Sequence, residues 1–265
     1  MGPKTSSSKR RDPHLARRQL LHVTYDFTGR TVLITGAGRG IGLAAARFFH
    51  SAGAVVWLVG RDGARLKEAA DSLDGARFAE VDVTRTQEVD IVVSDVISDT
   101  GRIDILINNA GILRDRMIWN LTDEDWDSVL AVHLGGPFRF IRASVPHFRR
   151  QGWGRVVNVT SYAGMHGNVG QTAYSAAKSG IIGLTKTAAK ELVRFGVTVN
   201  AISPVAETRM ITALPDEQRE RLQDIIPAGY FAPAAEISWA LAYLASDQAG
   251  YVTGTVLPVD GGMSI

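Results

Sequence analysis

From residue 29 onward, short β-branched apolar runs alternate with longer helical patterns, and that alternation constrains the fold more than any other feature. Thr31-Val32-Leu33-Ile34-Thr35 is apolar at consecutive positions, so both faces of the strand must be covered. Glycines end it, a helix begins near Ile41, and Gly53 is its expected stop. Ala54–Val59 repeats the apolar run. Further strands are expected near Arg77–Val81, Ile103–Asn108, Arg155–Val159, Val197–Ile202 and Thr255–Val259. Helical stretches are expected near 62–72, 85–99, 123–149, 172–195 and 234–246. Strands separated by helices join through right-handed crossovers into a parallel sheet with both faces covered. The expected fold class is α/β: one doubly wound domain over residues 29–265, with a seven-stranded parallel sheet.

A chain of 265 residues with 45% hydrophobic and 21% charged residues suits one such domain. No run of 18 apolar residues occurs, so no membrane partner is expected. Cysteine is absent, which excludes disulfides and thiolate metal sites and makes a cytoplasmic location the natural expectation. The six histidines show no ligand spacing, so no metal is expected. Charge is uneven: residues 1–29 hold six Lys/Arg and two acids, a net +4, which leaves −2 for the remainder. Residues 1–28 read as a basic, flexible arm around Ser6-Ser7-Ser8, a targeting or anion-binding arm being the sharper alternative. The cluster is short and carries no stacking aromatics, so nucleic acid is not an expected partner. No apolar stretch follows it to make a secretory signal. The least regular segment, Pro204 to Pro233, follows the carboxyl end of a strand and reads as a lid or substrate loop.

The turn Thr35-Gly36-Ala37-Gly38-Arg39-Gly40-Ile41-Gly42 joins the first strand to the first helix. Such a turn binds a pyrophosphate through backbone N–H groups and the positive helix end, with glycines permitting close approach. Gly36, Arg39, Gly40, Ile41 and Gly42 are therefore candidate dinucleotide contacts. An acid after the second strand would select a free ribose 2′-hydroxyl, but here Gly60 and Arg61 occupy that place. Arg39 and Arg61 suit a 2′-phosphate, so NADP(H) is preferred and NAD(H) possible. The alternative leaves Arg61 solvated and gives the ribose to Asp62. Asp82, with Val83 beside it, is placed to receive the adenine amino group or else to cap a helix. Asn109, Ala110 and Gly111, at the end of the fourth strand, either let the chain pass beside the cofactor or form an ordinary turn.

Ser161, Tyr174 and Lys178 complete an ordered set with Thr35–Gly42, Asp82, Asn108–Gly111 and Pro258-Val259-Asp260-Gly261-Gly262. From about Gly29 to Gly262 the chain resembles the short-chain dehydrogenase/reductase family. The resemblance implies a Rossmann-type sheet of order 3-2-1-4-5-6-7 and a homodimer or homotetramer built on the helices around 123–149 and 172–195. It also implies Tyr174 as acid/base, Ser161 holding the carbonyl or hydroxyl oxygen, and Lys178 binding the nicotinamide ribose. The residues support this chemistry, because Tyr174 and Lys178 at i and i+4 share a helix face. Lowering a phenol from pKa about 10 by ~3 units requires ~4 kcal/mol, which one cation ~4 Å away at an effective dielectric of ~20 supplies.

Two positions depart from the family pattern. His133 stands where the family has Asn. It reads either as a water-holding member of a proton relay with a pH-dependent charge or as a core histidine. In Ser203-Pro204-Val205-Ala206-Glu207-Thr208 the usual Pro-Gly is missing, but Pro204 and Thr208 remain expected near the nicotinamide. With Gly111-Ile112-Leu113-Arg114-Asp115-Arg116-Met117, these features resemble 3-oxoacyl thioester reductases and the dehydrogenase part of peroxisomal multifunctional β-oxidation enzymes. The substrate so implied is a 3-oxoacyl or 3-hydroxyacyl thioester of CoA or acyl carrier protein. Gly60-Arg61 points to the reductive direction. The alternatives are an NAD(H)-dependent steroid or small-alcohol dehydrogenase, and a non-catalytic cofactor-binding regulator.

Overall fold

Successive residues of the first strand face two different cores. The structure, a computed structural model, describes residues 24–207, 209–212 and 216–265. In β1 (Thr31–Thr35), Val32 and Ile34 pack with α1 (Gly40–Ser51), while Leu33 packs on the other face. This double burial is why the strand reads as a continuous apolar run. The chain continues through β2 (Val55–Gly60), α2 (Gly63–Asp71), β3 (Arg77–Glu80), α3 (Thr86–Thr100) and β4 (Ile105–Asn108). After α4 (Asp123–Leu130) and α5 (Gly136–Gln151) come β5 (Gly154–Val159), α6 (Tyr162–His166), α7 (Thr172–Leu192) and β6 (Val197–Pro204).

The segment expected to be a lid follows the carboxyl end of β6. It holds β7 (Ala206–Glu207), α8 (Arg209–Thr212), α9 (Asp216–Asp224) and β8 (Ala232–Pro233), with β7 and β8 pairing as a separate two-stranded ribbon. Helix α10 (Ala234–Ala245) and strand β9 (Val256–Val259) complete the chain.

The main sheet has seven parallel strands in the order β3-β2-β1-β4-β5-β6-β9. This is the expected order, with β9 in seventh place because the short ribbon intervenes. Helices α1 and α10 cover one face; α3, α5 and the C-terminal half of α7 cover the other. Order reverses between β1 and β4, and the turn after β1 opens at that switch point, where open α/β sheets bind ligands.

Two expectations are corrected. The domain begins before residue 29, because Phe27 is buried and its N–H donates to the Ala52 carbonyl at 2.7 Å. Tyr25 stacks near Phe27 and Trp239 with centroids 6.1 and 6.2 Å away. The rest of the basic arm, residues 1–23, lies outside the described residues. The helix expected over 123–149 is interrupted by a π-helical turn at Ala131–Gly135. Such a turn inserts one residue into the helical register and re-aims the side chains around it, here placing His133 in the interior.

Candidate active site

The glycine turn is shaped by contacts from β4. Gly36 has φ +67°, and a Cβ there would come within 2.8 Å of the Ala110 Cα. A Cβ on Gly42 would come within 2.4 Å of the Gly36 carbonyl oxygen and 2.6 Å of Asn109 Nδ2. Gly40 differs: its φ is +55°, and a Cβ would meet nothing within 4 Å. Thus Gly36 and Gly42 make room for protein, and Gly40 leaves an open cradle before an α1 terminus that no side chain caps. The opening, the free helix end and the switch-point location fit a dinucleotide pyrophosphate. Ile41 is half-buried, with its side chain against the α1 core.

Asn109 braces this turn. Its Nδ2 donates to the carbonyls of Thr35 (3.0 Å) and Gly36 (3.2 Å), and the Thr35 hydroxyl accepts from the amides of Asn109 (3.0 Å) and Ala110 (3.1 Å). Thr35 was not among the sequence candidates, yet a polar residue closing a buried apolar strand was a usable signal. Asn108, one residue earlier, donates to Asn158 at 2.8 Å and ties β4 to β5.

Arg39 and Arg61 are both exposed beside the turn. Among the described residues neither guanidinium makes a hydrogen bond or ion pair. Asp62, the alternative ribose ligand, is engaged as the cap of α2: it accepts from the Arg65 amide at 3.2 Å and pairs with the Arg65 side chain at 2.9 Å. Asp82 closes a turn, its Oδ1 accepting from the Thr84 amide (2.9 Å) and hydroxyl (2.7 Å). Burial raises the Asp82 pKa, but the two Thr84 bonds and the charges of Arg61 and Arg85 outweigh it, so the carboxyl is held below its usual range. Helix α3 begins beyond it, at Thr86, so the capping role expected as the alternative is not made. Val83 is buried against Gly136, whose Cβ would approach it to 3.0 Å.

Ser161, Tyr174 and Lys178 converge at the carboxyl edge of β5. Ser161 caps α6, its hydroxyl accepting from the Ala163 amide at 3.2 Å, and it hydrogen-bonds with the Tyr174 phenol. Lys178 lies one turn along α7 from Tyr174, buried, with Nζ donating to the Val159 carbonyl at 2.7 Å. The Thr160 hydroxyl donates to the Lys178 carbonyl at 2.8 Å and locks this end of β5 to α7. Helix α6 packs closely on α7, since a Cβ on Gly164 would lie 2.7 Å from the Lys178 Cβ.

The electrostatics differ from the expected ammonium–phenolate pair. Lys178 Nζ lies 5.5 Å from the Tyr174 ring centroid. Burial lowers Lys178 from 10.5 to about 7. Burial also raises the Tyr174 phenol above its ordinary value, opposed by the Ser161 bond and reinforced by the Asp115 carboxylate. Both groups have left water, so each moves toward its neutral form. As folded, Tyr174 is a proton donor.

His133 lies beneath Tyr174, ring edge to face with centroids 5.0 Å apart. Its Nε2 is 3.0 Å from the Ile112 amide nitrogen and 2.8 Å from the Ile112 carbonyl oxygen, and serves one of them according to tautomer. Nδ1 is buried with no partner among the described residues. Burial and the Lys178 charge lower His133 to about 3 against the opposing Ile112 bond, so its charge does not change near neutral pH as one expectation required. Pro204 ends β6, opposite Val259. Thr208 lies outside the described residues.

The matches to known proteins agree with this geometry. The family model for enoyl-(acyl carrier protein) reductase matches residues 36–264. A 3-oxoacyl-[acyl-carrier-protein] reductase FabG of Thermotoga maritima is 42% identical over 248 residues, covering 89% of this chain and 98% of the relative. Nodulation protein G of Rhizobium meliloti is 40% identical over 243 residues, covering 91% and 99%. The crystal structure of levodione reductase superposes with a TM-score of 0.85 at 34% identity, covering 90% of this chain and 98% of that one. With the sheet order, the glycine cradle and the Ser161–Tyr174–Lys178 cluster, these matches establish that the chain belongs to the short-chain dehydrogenase/reductase family and is an NAD(P)-dependent oxidoreductase.

Proposed function

We propose that the enzyme reduces the 3-oxo group of an acyl thioester, carried on CoA or acyl carrier protein, with NADPH. The observation that carries this reading is the phenol of Tyr174, protonated, hydrogen-bonded to Ser161 and backed by buried Lys178 at the sheet edge. The 3-oxoacyl reductase relatives support the substrate class. The nicotinamide cofactor, when bound, supplies the hydride. Backbone amides of the Gly36–Gly42 turn hold its pyrophosphate, and the region of Asp82, Val83, Asn109, Ala110 and Gly111 borders its adenosine. Arg39 and Arg61 hold the 2′-phosphate, and no acid stands at the residue after Gly60 to repel it.

Ser161 holds the substrate carbonyl oxygen, and Tyr174 donates its proton to that oxygen as the carbonyl carbon is reduced. Lys178 uses one N–H on Val159 and keeps two for the nicotinamide ribose, beside Pro204 and Thr208. Its charge also stabilises the phenolate left behind. Half-exposed Trp126 on α4 and Phe138 on α5 support a homo-oligomer, dimer or tetramer, built on α4, α5 and α7. No described helix is long and apolar enough to cross a membrane, and the cysteine-free sequence favours the cytoplasm.

The test is an NADPH-oxidation assay with acetoacetyl-CoA and a ketosteroid panel, for wild type and Tyr174→Phe. Thioester reduction that disappears in Tyr174→Phe is expected. Turnover of ketosteroids alone would redirect the substrate assignment, and no turnover of any ketone would leave a non-catalytic regulator.

A further inference from the structure

In the segment that follows β4, neighbouring side chains take different partners. Arg114 and Arg116 share one side, where both pair with the nearly buried Asp125 of α4, at 3.4 and 2.7 Å. Asp115, between them, faces the other way and accepts from Gln171 Nε2 at 2.8 Å. Gln171 immediately precedes α7 and stands three residues before Tyr174; its Oε1 accepts from Asn168 Nδ2 at 2.9 Å. The Arg116 amide donates to the Gly170 carbonyl at 2.8 Å, and Arg116 bridges to Gln171. Residues 115–116 are thus stapled to residues 170–171 beside the catalytic tyrosine. The two arginines are committed to Asp125, and among the described residues no cation pairs with Asp115.

We propose that Asp115 is a charge selector beside Tyr174, disfavouring substrates with a carboxylate near the reacting carbonyl. The proposal rests on the carbonyl-reductase reading above and narrows it: a neutral thioester or ester passes where a free 3-oxo acid is repelled. Four groups face or act on the phenol. Ser161 is uncharged, His133 is neutral above about 3, and burial brings Lys178 to about 7. The Asp115 carboxylate is the negative charge in this set, and it pushes the phenol up. Gln171 precedes Tyr174 by about one helical turn, so the staple anchors the exposed Asp115 carboxylate next to the start of α7, on the tyrosine's side of the site.

The experiment compares ethyl acetoacetate with acetoacetate as substrates of the full-length enzyme with NADPH, reading kcat/KM and its pH profile at low and high salt. Wild type is expected to favour the ester. Asp115→Asn keeps an acceptor for Gln171 and removes the charge. It is expected to raise the acetoacetate-to-ester ratio about three- to tenfold at low salt, with a smaller change at high salt. Its alkaline limb, set by loss of the phenolic proton, is expected at lower pH. Gln171→Lys sets an ammonium against the same carboxylate and should move both readouts in the same direction. An unchanged ratio and pH profile in both variants, with the ester still reduced, overturns the proposal. Failure of the wild type to reduce either compound overturns the carbonyl-reductase reading and the proposal with it.

Discussion

Gly42→Ala and Gly40→Ala should separate the structural glycines of the turn from the ligand-facing one. A Cβ at residue 42 would be driven to 2.4 Å from the Gly36 carbonyl and 2.6 Å from Asn109 Nδ2. Neither neighbour moves freely, because Asn109 is held by three bonds to Thr35 and Gly36. Overpacking against fixed backbone costs about 3 kcal/mol. Weakening one Asn109 bond adds about 1 kcal/mol. The gain of Ala over Gly within a helix returns about 1 kcal/mol. The net loss for Gly42→Ala is therefore about 3 kcal/mol. Gly40→Ala meets no atom and carries only the strain of φ +55°, about 1 kcal/mol. Its new methyl lies in the cradle proposed for the pyrophosphate, so its larger effect should be on cofactor affinity. Urea unfolding monitored by circular dichroism and NADPH titration by fluorescence measure the two quantities. The reasoning fails if Gly42→Ala is within about 0.5 kcal/mol of wild type, below the overpacking range. It also fails if Gly40→Ala binds NADPH unchanged.

Arg39→Ala and Arg61→Ala should each lower NADPH affinity relative to NADH by about tenfold, the worth of a charge-assisted contact to phosphate; an unchanged cofactor preference in both would remove the 2′-phosphate assignment. Asp104 has a fully buried carboxylate that accepts from the Thr31 amide and pairs with Arg30 and Arg102. Asp104→Ala should cost about 2–3 kcal/mol in urea unfolding, chiefly because the buried Thr31 amide loses its acceptor while the partly exposed arginines turn to water, and a loss below about 1 kcal/mol would contradict that argument. His133 has a folded pKa of about 3 against 6.5 unfolded, so between those values the unfolded chain binds a proton that the native state refuses. This group's contribution to stability should therefore fall as pH drops from 6.5 toward 3, by up to roughly 1.4 kcal/mol per pH unit. His133→Asn should flatten that slope, and an identical pH dependence in the two proteins would refute the assignment.

Much of the architecture was legible because burial on both faces leaves an uninterrupted apolar run in central strands such as β1 and β2, and seven strand-like segments separated by helices admit few topologies. The glycine turn was legible for a similar reason, since positive φ at Gly36 and Gly40 and crowding at Gly42 leave a mark in residue type. The π turn was not legible, because residues 131–135 have the composition of ordinary helix. Nor was the inclusion of Tyr25 and Phe27 in the folded body, whose partners Ala52 and Trp239 lie far along the chain.

Chain order and residue chemistry alone determined that a sheet edge would bring a glycine cradle, a serine, a tyrosine and a lysine together. Tertiary structure decided what those groups are electrically. Whether Lys178 holds a full charge, whether His133 titrates, and whether Asp115 pairs with Gln171 while its arginine neighbours turn to Asp125 depend on burial and distance. Desolvation and Coulomb energies are properties of the surroundings, and those surroundings come from segments far apart in the chain, 56 residues in the case of Asp115 and Gln171.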